Sequence, residues 1–282
     1  MGKFSDLGLK KEIVDVLSSL NFKEALEVQD KIIPLALKGK NVVFTSRTGS
    51  GKTLAYLLGF ISRINKKLGI QMIVLVPTRE LCIQVGKEMT KVCQPLGIKV
   101  GMLYGGREIA GDSITINKRN HILVGTPGRL IQHVNAKRIK VGDVKYLVYD
   151  ESDQMFDHGF FDECVYLKKR VSSDAQIIFS SATINEKVKH FIETELTDYE
   201  LLKIGELIPK NIVQETFLCT IAQKKEVLLQ FLQKNKFKHI MIFCNRKDKT
   251  VEITRFLSEH NYRARELNSD LTQDQRFNTL NL

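Results

Sequence analysis

The sequence predicts an α/β fold, a doubly wound parallel sheet with helices on both faces. Two observations lead to this fold class. Short runs rich in β-branched residues are apolar at successive positions instead of alternate ones, which is typical of strands buried on both faces. Between them lie stretches whose apolar residues recur with the helical period. Strands that alternate with helices form parallel sheets with right-handed crossovers, and such sheets bind ligands at the carboxyl ends of their strands.

The elements of this sheet fall in the first part of the chain. A predicted helix near the N-terminus places Ile13, Leu17 and Leu20 on one face, and two longer helical stretches cover 79–93 and 185–196. The predicted strands are 41–45, 71–76, 99–104, 121–125, 146–150 and 176–181.

A second, shorter α/β pattern follows. Periodicity is lost over 200–215, which contains Gly205 and Pro209, and this predicts a linker. Beyond it the predicted elements are a helix over 223–235, a buried strand over 239–245 and a helix over 248–261. We therefore expect a first domain over 1–205, a linker over 206–216 and the incomplete start of a second domain over 217–282.

Composition and charge limit the class of protein. The chain has 282 residues, 43% of them hydrophobic, and five prolines, so it can bury a sizeable core. Its formal charge of +11 favours an anionic partner such as nucleic acid. No apolar run is long enough to span a bilayer, and the N-terminus has no apolar signal core. We expect a soluble intracellular protein, either nuclear or cytoplasmic.

The cysteines are odd in number and widely spaced. Without a CxxC pattern or a Cys/His cluster they indicate neither a disulfide framework nor a zinc site. We expect small buried apolar residues in a reducing compartment. They are Cys82, Cys93, Cys164, Cys219 and Cys244.

A glycine-rich loop stands between a strand and a helix, which is the context of a phosphate-binding P-loop. Gly49 and Gly51 let backbone N–H groups surround phosphate oxygens, Lys52 can reach the terminal phosphates, and the Thr53 hydroxyl can ligate Mg²⁺. The general P-loop pattern begins with Gly where this chain has Ser46. The predicted nucleotide-binding residues are Ser46, Arg47, Thr48, Gly49, Ser50, Gly51, Lys52 and Thr53.

Acidic residues follow another predicted strand, in "LVYDESDQMF". A P-loop that holds Mg·ATP needs an acid on a neighbouring strand end, and Asp150 is placed to hold the water shell of the metal. Glu151 can orient the attacking water or accept its proton. Small-molecule kinases, transporters and GTPases share these two parts. The guanine-reading pattern Asn/Thr-Lys-x-Asp does not occur in its expected context, so ATP is the favoured nucleotide.

The order of further motifs resembles that of the DEAD-box RNA helicases, from about Phe4 to Arg276. "NFKEALEVQ" is similar to the Q motif of that family and places Gln29 where the family reads adenine, with Phe4 at the position of an isolated upstream aromatic. Two residues depart from the family pattern: Ala25 stands where Pro is usual, and Leu26 where Ser or Thr is usual.

Three motifs resemble the RNA-backbone contacts of the family. "PTREL", "GG" and "TPGR" each follow an apolar strand and offer hydroxyls, backbone N–H groups or arginines to phosphate oxygens. Such contacts read no base, so the resemblance implies binding without sequence preference. The implied RNA-binding residues are Pro77, Thr78, Arg79, Gly105, Gly106, Thr126, Pro127, Gly128 and Arg129.

"DESD" corresponds to the motif that names the family, with Ser152 in place of the usual Ala. "SAT" resembles the motif that couples the nucleotide site to RNA, and its hydroxyls, those of Ser181 and Thr183, are expected to hydrogen-bond Asp153. The resemblance thus implies a RecA-like sheet followed by a partial second RecA-like domain. It also implies that Asp153 lies beside the cofactor and that Thr53 and Asp150 hold Mg²⁺. The implied catalytic residues are Lys52, Asp150, Glu151, Ser181 and Thr183.

In the second domain "IMIFCNRK" is similar to motif IV, with Arg246 where Thr is usual, and "QDQR" fits another family element. The sequence ends before motif V and the arginine-rich motif VI, which predicts a truncated product of a longer protein. The resemblance implies an ATP-dependent RNA helicase that remodels short duplexes or RNA–protein complexes. Two alternatives stay open: a module that binds ATP and RNA with little turnover, and a P-loop ATPase acting on another substrate. We expect a monomer with RNA and regulatory proteins as partners and no membrane contact.

Overall fold

A computed structural model describes residues 2–47, 49–106, 108–205 and 212–280. The chain divides into two compact units, Met1–Pro209 and Lys210–Leu282. In the part of the chain that is described, no helix is long and apolar enough to cross a membrane.

The first unit contains a seven-stranded sheet in which every paired strand is parallel. The strand order is β3-β4-β2-β5-β6-β1-β7. Strand β6 therefore lies between β5 and β1, although it comes last but one along the chain. The strands are β1 Asn41–Thr45, β2 Met72–Leu75, β3 Val100–Leu103, β4 Ile122–Gly125, β5 Tyr146–Tyr149, β6 Gln176–Ser181 and β7 Tyr199–Lys203.

Helices connect these strands. In the first unit they are α1 Lys11–Ser19, α2 Glu27–Leu37, α3 Lys52–Ile61, α4 Arg79–Cys93, α5 Ser113–Asn117, α6 Pro127–Asn135, α7 Ser152–Asp157, α8 Phe161–Lys168 and α9 Glu186–Glu195, with 3-10 turns at Phe4–Leu7 and Ile109–Asp112. The second unit contains α10 Lys224–Lys234, α11 Lys247–Glu259 and α12 Gln273–Leu280.

Apolar layers cover both faces of the sheet. Successive residues of one strand point to opposite faces, so Val42 and Phe44 belong to one layer while Val43 belongs to the other. The central strands β2 and β4 are buried at every position. The predicted doubly wound parallel sheet is therefore confirmed, and its unbroken apolar runs are explained by burial on both sides.

Three expectations from the sequence are wrong in detail. Residues 239–245 form no strand, and Phe243 in that stretch is 87% exposed. A strand needs a hydrogen-bonded neighbour, and none of the described residues of the second unit forms one. Residues 200–203 of the aperiodic stretch are not a linker, because Tyr199–Lys203 pairs with β1 as an edge strand, while the first part of the predicted linker 206–216, residues 206–211, lies outside the described residues. Cys219 and Cys244 are partly exposed, whereas the other three cysteines are buried.

Candidate functional site

Six of the predicted motifs follow carboxyl ends of parallel strands, so they lie along one edge of the sheet. The P-loop follows β1, the "SAT" motif follows β6 and the "DESD" motif follows β5, and these three strands are adjacent. "PTREL", "TPGR" and "GG" follow β2, β4 and β3, which are adjacent on the other side of β5. This edge of the sheet therefore has two parts: a nucleotide half, and a second half that carries the motifs expected to bind the RNA backbone.

The P-loop adopts a conformation that glycine permits. Gly51 has a φ of +88° and directly precedes α3, and a Cβ at that position would lie 2.5 Å from Nε2 of Gln29. The loop is joined to the neighbouring strand because the backbone N–H of Ser46 donates to the carbonyl of Ser181 at 3.2 Å. Arg47 is exposed, and the predicted residue Thr48 lies outside the described residues.

Lys52 is the feature that most directly indicates an anionic ligand. Lys52 is the first residue of α3 and is only 6% exposed. Its Nζ has no hydrogen-bond partner among the described residues. A buried ammonium without a partner is costly unless a negative group completes its environment. A terminal phosphate at this helix N-terminus would do so, as predicted for Lys52.

Asp150 lies at the end of β5 with both carboxylate oxygens in hydrogen bonds. Oδ1 accepts from the Ser180 hydroxyl at 2.9 Å and from the backbone N–H of Glu151 at 3.1 Å. Oδ2 accepts from the Tyr56 hydroxyl at 3.0 Å. The sequence reasoning missed Tyr56 and Ser180, since a tyrosine inside an apolar helix and a serine inside a buried strand resemble ordinary core residues.

Glu151 has a strained backbone and a perturbed carboxyl group. It adopts the left-handed conformation with a φ of 52°, which a residue with a Cβ rarely does. Burial raises the pKa of the Glu151 carboxyl above its ordinary value, Lys52 opposes this, and the charges of Asp150 and Asp153 add to it. A carboxyl with a raised pKa beside a phosphate-binding loop is suited to accept or orient a proton.

Asp153 joins the "DESD" and "SAT" motifs. Its Oδ2 accepts from the hydroxyl of Thr183 at 2.8 Å and from the backbone N–H of Thr183 at 2.9 Å. The Ser181 hydroxyl also contacts Asp153, as expected: its oxygen accepts from the backbone N–H of Asp153 at 3.3 Å, and a hydrogen bond to the carboxyl group helps to lower the pKa of Asp153. Burial alone would raise the pKa of Asp153, but the bonds from Thr183 outweigh it and hold that pKa below its ordinary value.

Ser152, the departure within "DESD", is fully buried and bonded. Its hydroxyl donates to the backbone carbonyl of Ser180 at 2.9 Å, which joins the first turn of α7 to β6. Alanine at this position could not form that bond. The substitution therefore adds a contact to the nucleotide half of the edge instead of disturbing it.

Gln29 is 2% exposed and bonded to two segments. Its Oε1 accepts from the backbone N–H of Leu26 at 2.9 Å, and its Nε2 donates to the carbonyl of Gly51 at 3.1 Å. A side-chain amide has two donors and two lone pairs, so one of each remains for the edge of an adenine ring. Phe4 is buried among core side chains, and its predicted contact with the base stays a prediction.

Ala25 makes a bond that the usual proline could not make. Its backbone N–H donates to the carbonyl of Gly2 at 2.9 Å, and the neighbouring residues Lys3 and Glu24 form an antiparallel bridge. The N-terminal segment that carries Phe4 is thereby attached to the Q-motif loop.

The backbone-binding half brings two of its motifs into contact. Thr78 caps α4 by accepting from the backbone N–H of Leu81 at 3.2 Å. The Arg79 side chain is partly exposed, lies 3.9 Å from Glu80, and packs so closely on Gly106 that a Cβ there would be 2.7 Å from its Nη1. Gly106 has a φ of +83°. This partly exposed guanidinium is placed to reach a phosphate.

Arg129 of "TPGR" lies in a different environment. Its side chain is 4% exposed, its Nε lies 3.0 Å from Oδ2 of buried Asp112 in an ion pair, and the same Nε donates to the carbonyl of Tyr104 at 3.1 Å. The same Asp112 oxygen lies 2.8 Å from Nε2 of buried His133. Arg129 therefore holds the strand-end loops together, and its predicted phosphate contact stays a prediction. Thr126 and Pro127 begin α6, followed by Gly128.

The residues present fit Mg·ATP. The hydroxyl of Thr53 and the carboxylate of Asp150 are hard oxygen donors, and Mg²⁺ keeps several waters while using few protein ligands. The negative charge of a phosphate would be matched by Nζ of Lys52, which has no hydrogen-bond partner among the described residues.

A sequence model described as "DEAD/DEAH box helicase" matches residues 26–191. The chain belongs to the DEAD/DEAH box helicase family. A second model, "Helicase conserved C-terminal domain", matches residues 223–282. The DEAD-box resemblance of the sequence motifs is thus confirmed at the level of family.

Named relatives agree with this. The chain is 34% identical to the ATP-dependent RNA helicase CshA of Listeria monocytogenes over 99% of its own length and 54% of that protein. It is 33% identical to the DEAD-box ATP-dependent RNA helicase CshA of Bacillus subtilis over 97% of its length and 56% of that protein. The chain spans about half the length of these curated relatives.

Two solved structures are similar over the whole chain. A DEAD box protein from the hyperthermophile Methanococcus jannaschii matches with a TM-score of 0.68 and 31% identity, over 77% of that chain. Dbp5 of S. cerevisiae, solved bound to Gle1 and IP6, matches with a TM-score of 0.78 and 24% identity, over 72% of that chain, and shows the fold alone.

In the second unit of this DEAD-box chain, the motif-like stretches "IMIFCNRK" and "QDQR" lie at the starts of two helices, α11 and α12. Arg246 precedes α11 and its Nε donates to Asp248 at 2.9 Å on the surface. "QDQR" begins α12, and the side chain of Gln273 lies outside the described residues.

The two arginines are predicted to behave differently. Arg129→Ala leaves Asp112 buried with less compensation, so we expect a loss of about 3 kcal/mol in the free energy of unfolding, near the lower end for a broken buried pair because His133 remains. Arg79→Ala removes a partly exposed group, so stability should change by less than about 0.5 kcal/mol while RNA affinity falls. Urea unfolding and filter binding of single-stranded RNA measure the two effects. Equal stability of both variants would contradict this division.

Ala25→Pro tests the attachment of the N-terminal segment. Proline removes the N–H that bonds Gly2, worth ~1 kcal/mol and partly offset by the stiffer chain. We expect amide exchange over Phe4–Leu7 to accelerate roughly two- to fivefold, since each kcal/mol is about a factor of five. Ala25→Ser keeps the N–H and serves as the control. Unchanged exchange in the proline variant would show that the bond does not hold this segment.

Proposed function

We propose that this protein is an ATP-dependent RNA helicase, an RNA-stimulated ATPase that remodels short duplexes or RNA–protein complexes. The observation that carries the proposal is the division of one sheet edge into two adjoining halves. One half gathers a P-loop lysine, two acids and the "SAT" segment; the other gathers "PTREL", "GG" and "TPGR". The family and its named relatives, which are ATP-dependent RNA helicases, support the same activity.

In the nucleotide half, each side chain has a distinct task. The P-loop backbone and Lys52 hold the phosphates, the free donor and lone pair of Gln29 select adenine, and Thr53 with Asp150 hold Mg²⁺. When bound, Mg·ATP brings the γ-phosphoryl group and neutralises the charge that develops on it. Glu151 orients the attacking water and receives its proton, which its raised pKa favours.

In the other half, contacts with RNA are made to the backbone. Arg79 and the N–H groups near Gly106 and Thr126 lie at strand ends where phosphates can approach. Contacts with phosphates do not distinguish one base from another, so binding is independent of the RNA sequence.

The bond between Thr183 and Asp153 joins the "SAT" and "DESD" motifs within the nucleotide half, and the family resemblance implies that "SAT" connects this half to RNA binding. Asp153 belongs to α7, which directly follows Glu151, and Thr183 follows β6 beside the P-loop. A change in the position of "SAT" therefore moves the acids that act on ATP. Binding of RNA and hydrolysis of ATP are coupled through this contact.

We further propose that these 282 residues alone turn ATP over weakly. They contain no arginine-rich motif VI, and an arginine that contacts the γ-phosphoryl group contributes roughly 10³–10⁵ in rate in related phosphoryl transfers. The alternative of a binding module with little turnover differs from this proposal only in rate, so it is decided by measurement.

The decisive experiment measures ATP hydrolysis with and without single-stranded RNA, on the chain and on Glu151→Gln. We expect RNA to stimulate hydrolysis, and the variant to lose about 10²–10⁴ of the rate while it still binds ATP. The rate of the unmodified chain should fall on acidification through the raised pKa of Glu151, because the protonated carboxyl accepts no proton.

Each alternative predicts a different result. Binding of ATP and RNA without hydrolysis would favour the binding module. A rate of ATP hydrolysis that is the same with and without RNA would favour a P-loop ATPase with another substrate. In that case Arg79→Ala is the informative variant, because Arg129→Ala combines any loss of RNA contact with a loss of stability.

A further inference from the structure

The carboxylate of Asp150 is held from two neighbouring elements by hydroxyl groups that its role as a magnesium residue does not by itself require. Tyr56 reaches it from α3 at 3.0 Å, and Ser180 reaches it from β6 at 2.9 Å. Both donors are fully buried, and Asp150 is nearly so. Buried polar groups at this density fix a side chain in one rotamer, because any other rotamer leaves unsatisfied donors.

The position of Tyr56 connects it to the P-loop. It lies three residues after Thr53 on α3, so the two side chains share a face of the helix. The helix that presents the Thr53 hydroxyl thus also holds Asp150. Burial and the charge of Asp150 raise the pKa of Tyr56 well above its ordinary value, although a hydrogen bond with Thr53 opposes this. Its hydroxyl therefore remains a proton donor at neutral pH.

A third group joins from α4. The half-buried carboxyl of Glu88 has its pKa raised, first by burial and also by the charge of Asp150, while a hydrogen bond with Thr53 lowers it. Thr53 therefore lowers the pKa of both Tyr56 and Glu88. The two predicted magnesium residues are parts of one connected group of side chains.

The hydrogen bonds also distinguish the two oxygens of Asp150. Oδ1 accepts two bonds and Oδ2 accepts one, while each carboxylate oxygen has about two lone pairs. A lone pair thus remains on Oδ2, the oxygen that Tyr56 holds.

We propose that Tyr56 and Ser180 are positioning residues for Asp150, and that they set the magnesium-dependent part of nucleotide affinity by aiming Oδ2 at the water shell of the metal. This inference rests on the proposed function. Outer partners of metal-binding side chains commonly contribute 10–100-fold to metal affinity. A role confined to core packing would affect nucleotide affinity equally with and without Mg²⁺.

The test measures ADP binding by titration calorimetry, in EDTA and in excess Mg²⁺, for the unmodified chain, Tyr56→Phe and Ser180→Ala. Each substitution removes one oxygen and keeps most of the packing. We expect the affinity in EDTA to stay within about twofold, and the gain in affinity on adding Mg²⁺ to fall roughly tenfold in each variant. Because the two variants act from different elements, misfolding of one leaves the other informative.

Tyr149→Phe is the matched control. Tyr149 is also a fully buried tyrosine, but its hydroxyl donates to the carbonyl of Cys164 at 3.3 Å instead of to an acid. It should keep the full gain with Mg²⁺. If both Tyr56→Phe and Ser180→Ala keep the full gain in ADP affinity on adding Mg²⁺, this inference is wrong. It is also wrong if each variant loses the same ADP affinity in EDTA as in Mg²⁺. Neither result would affect the proposed nucleotide site. Failure of the unmodified chain to bind ADP in either condition would overturn the proposed nucleotide site and this inference with it.

Discussion

The end of β6, residues 180–183, is the point on which the arrangement of the nucleotide half depends. Ser180 donates to Asp150 and accepts from Ser152, and Ser181 accepts from the backbone of Ser46. Thr183 donates to Asp153. These contacts are possible only because β6 lies between β5 and β1 in the sheet. The strand order thus brings the P-loop, the acids and the coupling motif within hydrogen-bond distance of one short segment.

Two residues in the nucleotide half have conformations or buried charged groups that are unfavourable in an ordinary protein core. Glu151 combines a left-handed backbone with a partly buried carboxyl, and Lys52 has a buried ammonium without a partner in the described structure. A carboxyl group whose pKa is higher in the folded state than in the unfolded state stabilises the fold at low pH. This contribution to the free energy of unfolding is lost as the pH rises from the unfolded-state pKa through the folded-state pKa. Features of this kind are retained where a ligand compensates for them, and both groups face the predicted phosphate site.

Much of this could be predicted from the sequence, because local patterns determine it. Unbroken apolar runs identified the buried strands, and a glycine-rich loop between a strand and a helix identified the phosphate site around Lys52. The roles of Tyr56 and Ser180 could not be predicted, since their bonds to Asp150 join positions 94 and 30 residues apart. The burial of Arg129 depends on Asp112, which no motif marks. The apolar run at 239–245 forms no strand because a strand also requires a neighbour, which local pattern does not reveal.

The proposed coupling of ATP binding to RNA binding depends on the Thr183–Asp153 contact, which lies within the nucleotide half. Its most direct test measures the affinity for single-stranded RNA with and without a non-hydrolysable ATP analogue, in the unmodified chain and in Thr183→Val, which removes only the hydroxyl bond. We expect the analogue to strengthen RNA binding about 5–150-fold in the unmodified chain, the usual range for coupled sites. In Thr183→Val that factor should fall towards one while binding of RNA alone is unchanged. An equal factor in both proteins would contradict the account.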